Sequence, residues 1–391
     1  MPRPEPEMTA ADRAQRAGGF FAKLDYVQLG AVLGLLAIGL IFIYSTGSGY
    51  GARGTVAFYR QLQWIGLGGC LWIAGALSNY RSINFRLLTI PTYLAVLVLL
   101  LLTLKFGTKI YGATRWITIG SIRIQPSEFA KIAMILLLSA VFSVPRFDVN
   151  KKIGLAVSLL IFLPPFLLVA KQPDLGSSVV MIPAYLGIVF CAGLKWRYIL
   201  VTAISVLLLG GAAIINEAMQ IRPFLRAYQR DRIKVFLNPE SDRLHRGYNA
   251  YQARLAVGSG GFFGKGIGKG EQNNLGFLPH TVANNDFIFS VIAEETGFAG
   301  AFILIVLYSF LLYSVWRTAF WAAEPLGRYI ASGIGCMLIY HIFVNIGMSV
   351  GLAPVTGVPL PFVSYGGSFM LTSMAACGIL QSIYRHRRIE L

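Results

Sequence analysis

Charge is scarce in this chain. Asp, Glu, Lys and Arg make up 13% of its 391 residues, about half the share found in soluble domains. That shortage excludes a water-solvated surface as the main environment. Acid is scarcer than base: 17 Asp and Glu stand against 34 Lys and Arg, for a net charge of +17. Cysteine is nearly absent, and Cys70, Cys191, Cys336 and Cys377 all fall inside apolar runs. They have neither metal-ligand spacing nor the pattern of a disulfide framework, so they read as small core residues. No cleavable signal peptide is visible, because the first apolar run is long and no small-residue cleavage pattern follows it.

What fills the chain instead is hydrocarbon: 55% hydrophobic residues and a mean hydropathy of +0.63. The apolar runs are long and lack the two-residue alternation of a barrel, which predicts an all-α integral membrane protein. Spans are expected near 26–46, 62–78, 87–104, 128–144, 153–170, 177–194, 198–216, 287–315, 327–350 and 367–384. The expected architecture is a polytopic bundle of about ten transmembrane helices. Residues 1–24 form a polar N-terminal tail, 25–384 one membrane domain, and 385–391 a short C-terminal tail. The polar stretch 217–286, between helices seven and eight, is too long and irregular to lie in lipid, so it is a large extracytoplasmic loop.

The basic residues flank spans instead of forming one soluble patch, which argues against nucleic acid and for anionic membrane lipids or an anionic lipid-linked substrate. Arg13, Arg16, Lys23, Arg81, Arg86, Arg146, Lys151, Lys152, Lys195, Arg197, Arg317, Arg328, Arg385, Arg387 and Arg388 fall on one side. That side reads as cytoplasmic, which places both termini inside. The opposite side carries Arg53, Arg60, Lys105, Lys109, Arg115, Arg123 and Lys171, an excess the rule does not predict. Those cations point either to an anionic ligand or to lipid phosphates.

Several stretches combine charge with broken helical pattern. In GATRWITIGSIRIQPSEFAKI (112–132), Pro126 suits a first helical turn and Ser127 can cap it. Glu128 and Lys131 then share one helix face. A charge at the bilayer centre costs about 2.5–3.5 kcal/mol, so the two imply a polar cavity or an ion pair near the headgroups. Arg115, beside Trp116, is a bidentate pyrophosphate clamp or an interfacial anchor. Asp174, in KQPDLGS, is a site residue or a helix cap. Arg222, Arg226, Arg230 and Lys234 recur every fourth residue, as in a helix lying in the interface. The loop GSGGFFGKGIGKG (258–270) is superficially nucleotide-like, but no strand precedes it and no GK[ST] follows. With Lys265 and Lys269 it is an anion-binding loop or a merely flexible one.

Asp286 stands where the polar loop re-enters an apolar run. A carboxylate there is a functional candidate by default, with a helix N-cap as the alternative. Glu294 and Glu295 lie about 12 Å further along the same helix, and adjacent membrane carboxylates are hard to explain as packing alone. His280 reads as loop structure and not as a metal ligand. Near the end, Pro354, Pro359 and Pro361 with Gly351, Gly357, Gly366 and Gly367 interrupt the helical pattern. Such backbone at membrane depth must be buried in protein or line a cavity.

GATRWITIG with QPSEFAK, QPDLGS, GYNAYQARLAVGSGGFFGKG, DFIFSVIAEETG, and NIGM with PVTGVPLPFVSYGGS together resemble the SEDS family (shape, elongation, division and sporulation). The likeness runs from the first helix to the last. The NPES block, the glycine loop and VPLPFVSYGG favour its elongation branch over its division branch. The resemblance implies an inverting peptidoglycan glycosyltransferase that polymerises lipid II on the outer face of the cytoplasmic membrane. It implies an undecaprenyl-pyrophosphate glycan as donor, and Asp286 as the base that deprotonates the attacking hydroxyl. It also implies a class B penicillin-binding protein as partner, with elongation-complex proteins such as MreC and MreD. Arg115, Glu128, Lys131, Asp174, Lys265, Lys269 and Glu294 are the expected substrate-binding residues. No cofactor is required by the pattern, although a divalent cation (Mg or Mn) could assist the leaving pyrophosphate. The sequence departs from the family at LPHTVANNDF, where Asn284 and Asn285 precede the aspartate on a slightly longer approach. A lipid II flippase is the alternative, since many spans and intramembrane charges also suit a transporter.

Overall fold

The computed structural model describes residues 19–48, 52–110, 113–120, 122–145, 147–198 and 247–388, with scattered positions between 200 and 236. The basic stripe of Arg222, Arg226, Arg230 and Lys234 lies outside the described residues, as do the NPES block and residues 1–18. In lipid a chain must satisfy its own amides, and helices do so within one segment. Helices α1 (Tyr26–Ser48), α2 (Ala52–Leu77), α3 (Ile83–Phe106), α4 (Pro126–Phe142), α5 (Lys152–Lys171) and α6 (Leu175–Cys191) come first. The described positions from 196 to 215 are helical, where the seventh span is expected. Then follow α7 (Tyr248–Ser259), α8 (Glu271–Asn274), α9 (His280–Ala283), α10 (Ile288–Trp321), α11 (Pro325–Val350) and α12 (Gly367–Arg385). Helices α1–α6 and α10–α12 coincide with the expected spans, except that α2 begins about ten residues early.

Five described helices, α1, α3, α5, α10 and α11, are long and apolar enough to cross a bilayer. The helices of the bundle differ in burial. Helix α3 turns Leu87, Leu88, Leu94 and Val98 outward, whereas α12 is buried along most of its length. Helix α12 packs on α2 through glycine: a Cβ on Gly75 would sit 2.9 Å from the Gly378 carbonyl carbon. Small residues let backbones approach where no hydrophobic force between helices operates. At one end of the bundle the buried Asp25 accepts from Ser314 Oγ at 2.6 Å and pairs with Arg317 at 2.5 Å. Gln381 Nε2 donates to the Asp25 carbonyl at 3.0 Å, so α1, α10 and α12 meet there.

Two features were not expected. Residues 108–124 form a three-stranded antiparallel sheet, β1 (Thr108–Ile110), β2 (Ala113–Ile119) and β3 (Ile122–Ile124), in the order β1-β2-β3. The β-branched run in β2 suits a strand, and Gly120, at φ +60°, turns the chain into β3. The second feature is a break in α10. Thirty-four helical residues would run about 50 Å, well beyond a hydrocarbon core of about 30 Å. The helix resolves the excess at Gly297, whose φ of 67° and ψ of −161° are not helical. Residues 288–296 are largely buried in protein, and residues 298–321 form the membrane-crossing part.

Candidate active site

The site is built around the irregular segment that joins α11 to α12. Gly351, in the left-handed region at φ 85°, ends α11. Its successors have no helix to satisfy them, and Val358, Leu360, Phe362 and Val363 are buried. Side chains from α11 and α10 answer their carbonyls. Asn345 Nδ2 donates to Val358 O at 2.7 Å, and Tyr308 OH donates to Pro361 O at 2.6 Å. His341 Nδ1 lies 3.1 Å from Pro359 O. This is the protein-buried broken backbone that the sequence predicted.

The turn carrying Asp286 is bound to that segment and to α11 at three successive carbonyls. Tyr365 N donates to Asn284 O at 2.9 Å, Ser364 Oγ to Asn285 O at 2.6 Å, and Asn345 Nδ2 to Asp286 O at 3.0 Å. The Asn284 side chain bonds Thr46 of α1 and, at 3.0 Å, His280 Nε2. The longer Asn284–Asn285 approach is therefore held by bonds to α1, to His280 and to the segment after α11. His280 is a partner in that turn, in line with its reading as loop structure.

Asp286 is not a helix cap. The N-cap position of α10 is Phe287, with no side-chain cap bond. Among the described residues the Asp286 carboxylate meets no main-chain amide, and it faces Gly357, where a Cβ would be 3.5 Å from Oδ2. Gly357 has a φ of +73°, a conformation that suits glycine. Burial pushes the Asp286 carboxyl up to about 6; Arg115 and Arg232 pull it back, and Asp174 adds to the rise.

Arg115, delivered by β2, pairs with Asp174 at 3.4 Å, with 24% of the arginine side chain exposed and 4% of the aspartate. Asp174 does cap α6, accepting from Ser177 N at 3.2 Å, and it also accepts from Gln125 Nε2 at 2.7 Å. Asp174 is therefore a helix cap that also reaches Arg115 and Gln125. Ser127, expected to cap α4, instead turns its hydroxyl to Asp174 at 3.4 Å, and the N-cap is Gln125. Arg232 Nη1 donates to Thr356 O at 3.0 Å, next to Gly357. Of the other outer cations, Arg60, Lys105, Arg123 and Lys171 are exposed.

Glu128 and Lys131 form a buried ion pair at 2.8 Å. Lys131 Nζ also lies 3.3 Å from His341 Nε2. An ammonium can only donate, so that imidazole nitrogen accepts and the proton sits on Nδ1, which donates to Pro359 O. Asp174 interacts electrostatically with both Asp286 and Glu128, which links the pair to the aspartate.

Lys265 and Glu294 are brought together, but about two turns along α10 from Asp286. Lys265 Nζ sits 2.9 Å from Glu294 and 3.1 Å from Glu271. Burial lowers the Lys265 pKa, but hydrogen bonds to those two carboxylates outweigh it and hold the ammonium above its usual range. Glu294 also accepts from the amides of Glu271 and Gln272, and Glu295 from Ser45 Oγ and Gly268 N. The geometry places this cluster in loop anchoring, which departs from the substrate contact expected of Lys265 and Glu294. Lys269 is exposed on the same loop. Among the described residues no group of three or more His, Cys, Asp or Glu is arranged to hold a metal ion.

Sequence reasoning missed His341, Asn345 and Arg232. The first two had a signal: two polar side chains four residues apart on an apolar helix share one face and imply a polar lining.

The family model described as Cell cycle protein (FtsW, RodA, SpoVE) matches residues 26–389. The peptidoglycan glycosyltransferase MrdB of Escherichia coli (strain K12) is 42% identical over 297 residues, covering 76% of this chain and 78% of that protein. The peptidoglycan glycosyltransferase RodA of Treponema pallidum is 32% identical, covering 92% and 97%. A chain solved in work on structural coordination of polymerization and crosslinking by a peptidoglycan synthase complex superposes with a TM-score of 0.77 at 31% identity, covering 94% of this chain and 99% of that one. The crystal structure of the Thermus thermophilus rod shape determining protein RodA gives 0.69 at 29%, covering 94% and 98%.

Proposed function

The chain belongs to the FtsW/RodA/SpoVE family of cell cycle proteins, and from that membership we propose that it is a multi-pass membrane peptidoglycan glycosyltransferase using Asp286 as its base. The acceptor is lipid II and the donor is a growing glycan on undecaprenyl pyrophosphate, during cell elongation. Asp286 takes the proton of the GlcNAc 4-hydroxyl as that oxygen attacks C1 of MurNAc with inversion. One carboxylate suffices, because pyrophosphate departs without protonation, unlike the leaving groups of two-carboxylate glycosidases.

The observation that carries the assignment is a carboxylate left free of capping duty beside a cluster of polar and charged side chains. Its main chain is tied at three carbonyls, and guanidiniums lie nearby. A rigid base with a pKa near the working pH is what proton removal needs. The departing pyrophosphate needs positive charge. Arg115 and Arg232 fit that role better because both act electrostatically on Asp286, whereas Lys131 is buried against Glu128 and Lys265 is tied to Glu294 about two turns away. The synthase-complex chain above supports a crosslinking partner, a class B penicillin-binding protein; MreC and MreD are further expected neighbours.

Asp286→Asn keeps shape and volume but removes the base. Purified variant protein should lose at least about a hundredfold in lipid II polymerisation while keeping its thermal midpoint. Undiminished polymer from that variant would end the assignment. Labelled lipid II crossing liposomes without polymer would favour a flippase instead.

A further inference from the structure

The glycine-dense loop after α7 is docked onto the break in α10, main chain against main chain. Phe298 N and Ala299 N follow the non-helical Gly297 and donate to Gly261 O and Phe262 O at 2.9 and 3.0 Å. In return Lys265 N and Gly266 N donate to Glu294 O and Glu295 O at 3.0 and 2.9 Å. Each broken helix end is thereby capped by the loop. Glycine makes the contact possible: a Cβ on Gly297 would lie 2.4 Å from Gly264 N, and one on Gly264 would lie 2.2 Å from Glu295 O. Irregular backbone is tolerated at membrane depth only when protein satisfies its polar groups, and this loop meets that condition.

Its tip then presents two adjacent aromatic side chains outward. Phe262 is 60% exposed and Phe263 81%. The Phe262 ring lies 5.8 Å from Phe298, and Phe298 lies 6.2 Å from Phe302. Phe298 and Phe302 are 61% and 56% exposed and belong to the part of α10 that crosses the membrane. The tip therefore continues the lipid-facing surface of that span without interruption. Exposed Ile267 and Lys269 follow on the same loop, and apolar side chains beside a lysine are what the headgroup boundary accepts.

We propose that the tip of this loop, Phe262 and Phe263, is a lipid anchor that inserts into the leaflet on the Asp286 side of the bilayer. The loop is thus a membrane-binding element and not a ligand-binding flap. The inference stands whether or not Asp286 is the base.

Spin-label accessibility tests it in full-length protein reconstituted in phosphatidylethanolamine and phosphatidylglycerol liposomes, with the four native cysteines replaced. A nitroxide at Phe263→Cys should collide more with oxygen than with a water-soluble nickel chelate, as one at Phe302→Cys does. A label at the exposed Asn274→Cys should show the reverse. Nickel-dominated collisions at 263 would overturn the anchor. So would shielding from both reagents, which would mean that protein, such as a partner's membrane helix, covers the tip. On the unaltered chain, a phospholipid with a diazirine in its acyl chain should crosslink to the peptide holding 262–263. Labelling of Phe302 without that peptide would overturn the proposal independently.

Discussion

The acid at position 286 sits among charges that set its proton affinity, and each has a predictable sign. A general base works as the carboxylate, so turnover should be full above its pKa and fall as pH drops through about 6. Arg115→Gln removes a stabilising cation and should move the acid limb of the polymerisation profile to higher pH. Asp174→Asn removes a neighbouring anion and should move it lower. Rates of lipid II consumption from pH 5 to 8 would check both; shifts of the same sign would show that Asp286 does not set the limb. Asp174 also caps α6; asparagine caps about as well, so Asp174→Asn should keep its thermal midpoint, whereas Asp174→Ala should lose about 1 kcal/mol of stability. Asp286 was legible in the sequence because a lone acid at the edge of an apolar run has few structural excuses. His341 and Asn345 were equally open to that argument. Arg232 was not, because only the fold brings it to Thr356.

At the scale of elements, most spans were readable from the length of their apolar runs, although α2 starts about ten residues before its run. The outer sheet was hidden: β1 and β3 are three residues each, too short for an alternation signal. The docking of the glycine loop was hidden for another reason. Its main contacts are between backbone groups, which leave no trace in side-chain pattern beyond the glycines themselves. Those glycines make a graded prediction. Gly268 has a φ of +76° with nothing within 4 Å of a Cβ, so Gly268→Ala should cost only the conformational term, about 1–2 kcal/mol. Gly297→Ala combines a φ of +67° with a Cβ driven into the Gly264 amide, so the loop must separate from α10. Its thermal midpoint in detergent should fall several-fold further than that of Gly268→Ala. Equal midpoints would mean that the loop is not clamped at the break.

Over the whole molecule, charge is sorted by end. At one end the cations are occupied within the bundle: Arg86 meets Glu324 at 2.9 Å, Arg317 meets Asp25, and Arg385 Nη1 donates to Ala76 O at 2.6 Å. Lys151 and Lys152 are exposed beside Asn150, which ties the α4–α5 turn to Gly193 and Lys195. At the other end, Arg115 pairs with Asp174 and, with Arg232, acts electrostatically on Asp286. Basic flanks on short loops remain in the cytoplasm, because translocating them against the membrane potential is unfavourable. That rule predicts the crowded end inside and Asp286 facing out, the orientation that the proposed wall synthesis requires. Single cysteines at Lys151 and Lys269, in a chain freed of its native thiols, convert this into a measurement. A membrane-impermeant maleimide applied to intact spheroplasts should modify position 269 at once and position 151 only after permeabilisation. The converse pattern would turn the bundle over and leave Asp286 on the side where no wall is built, which the proposed chemistry could not survive.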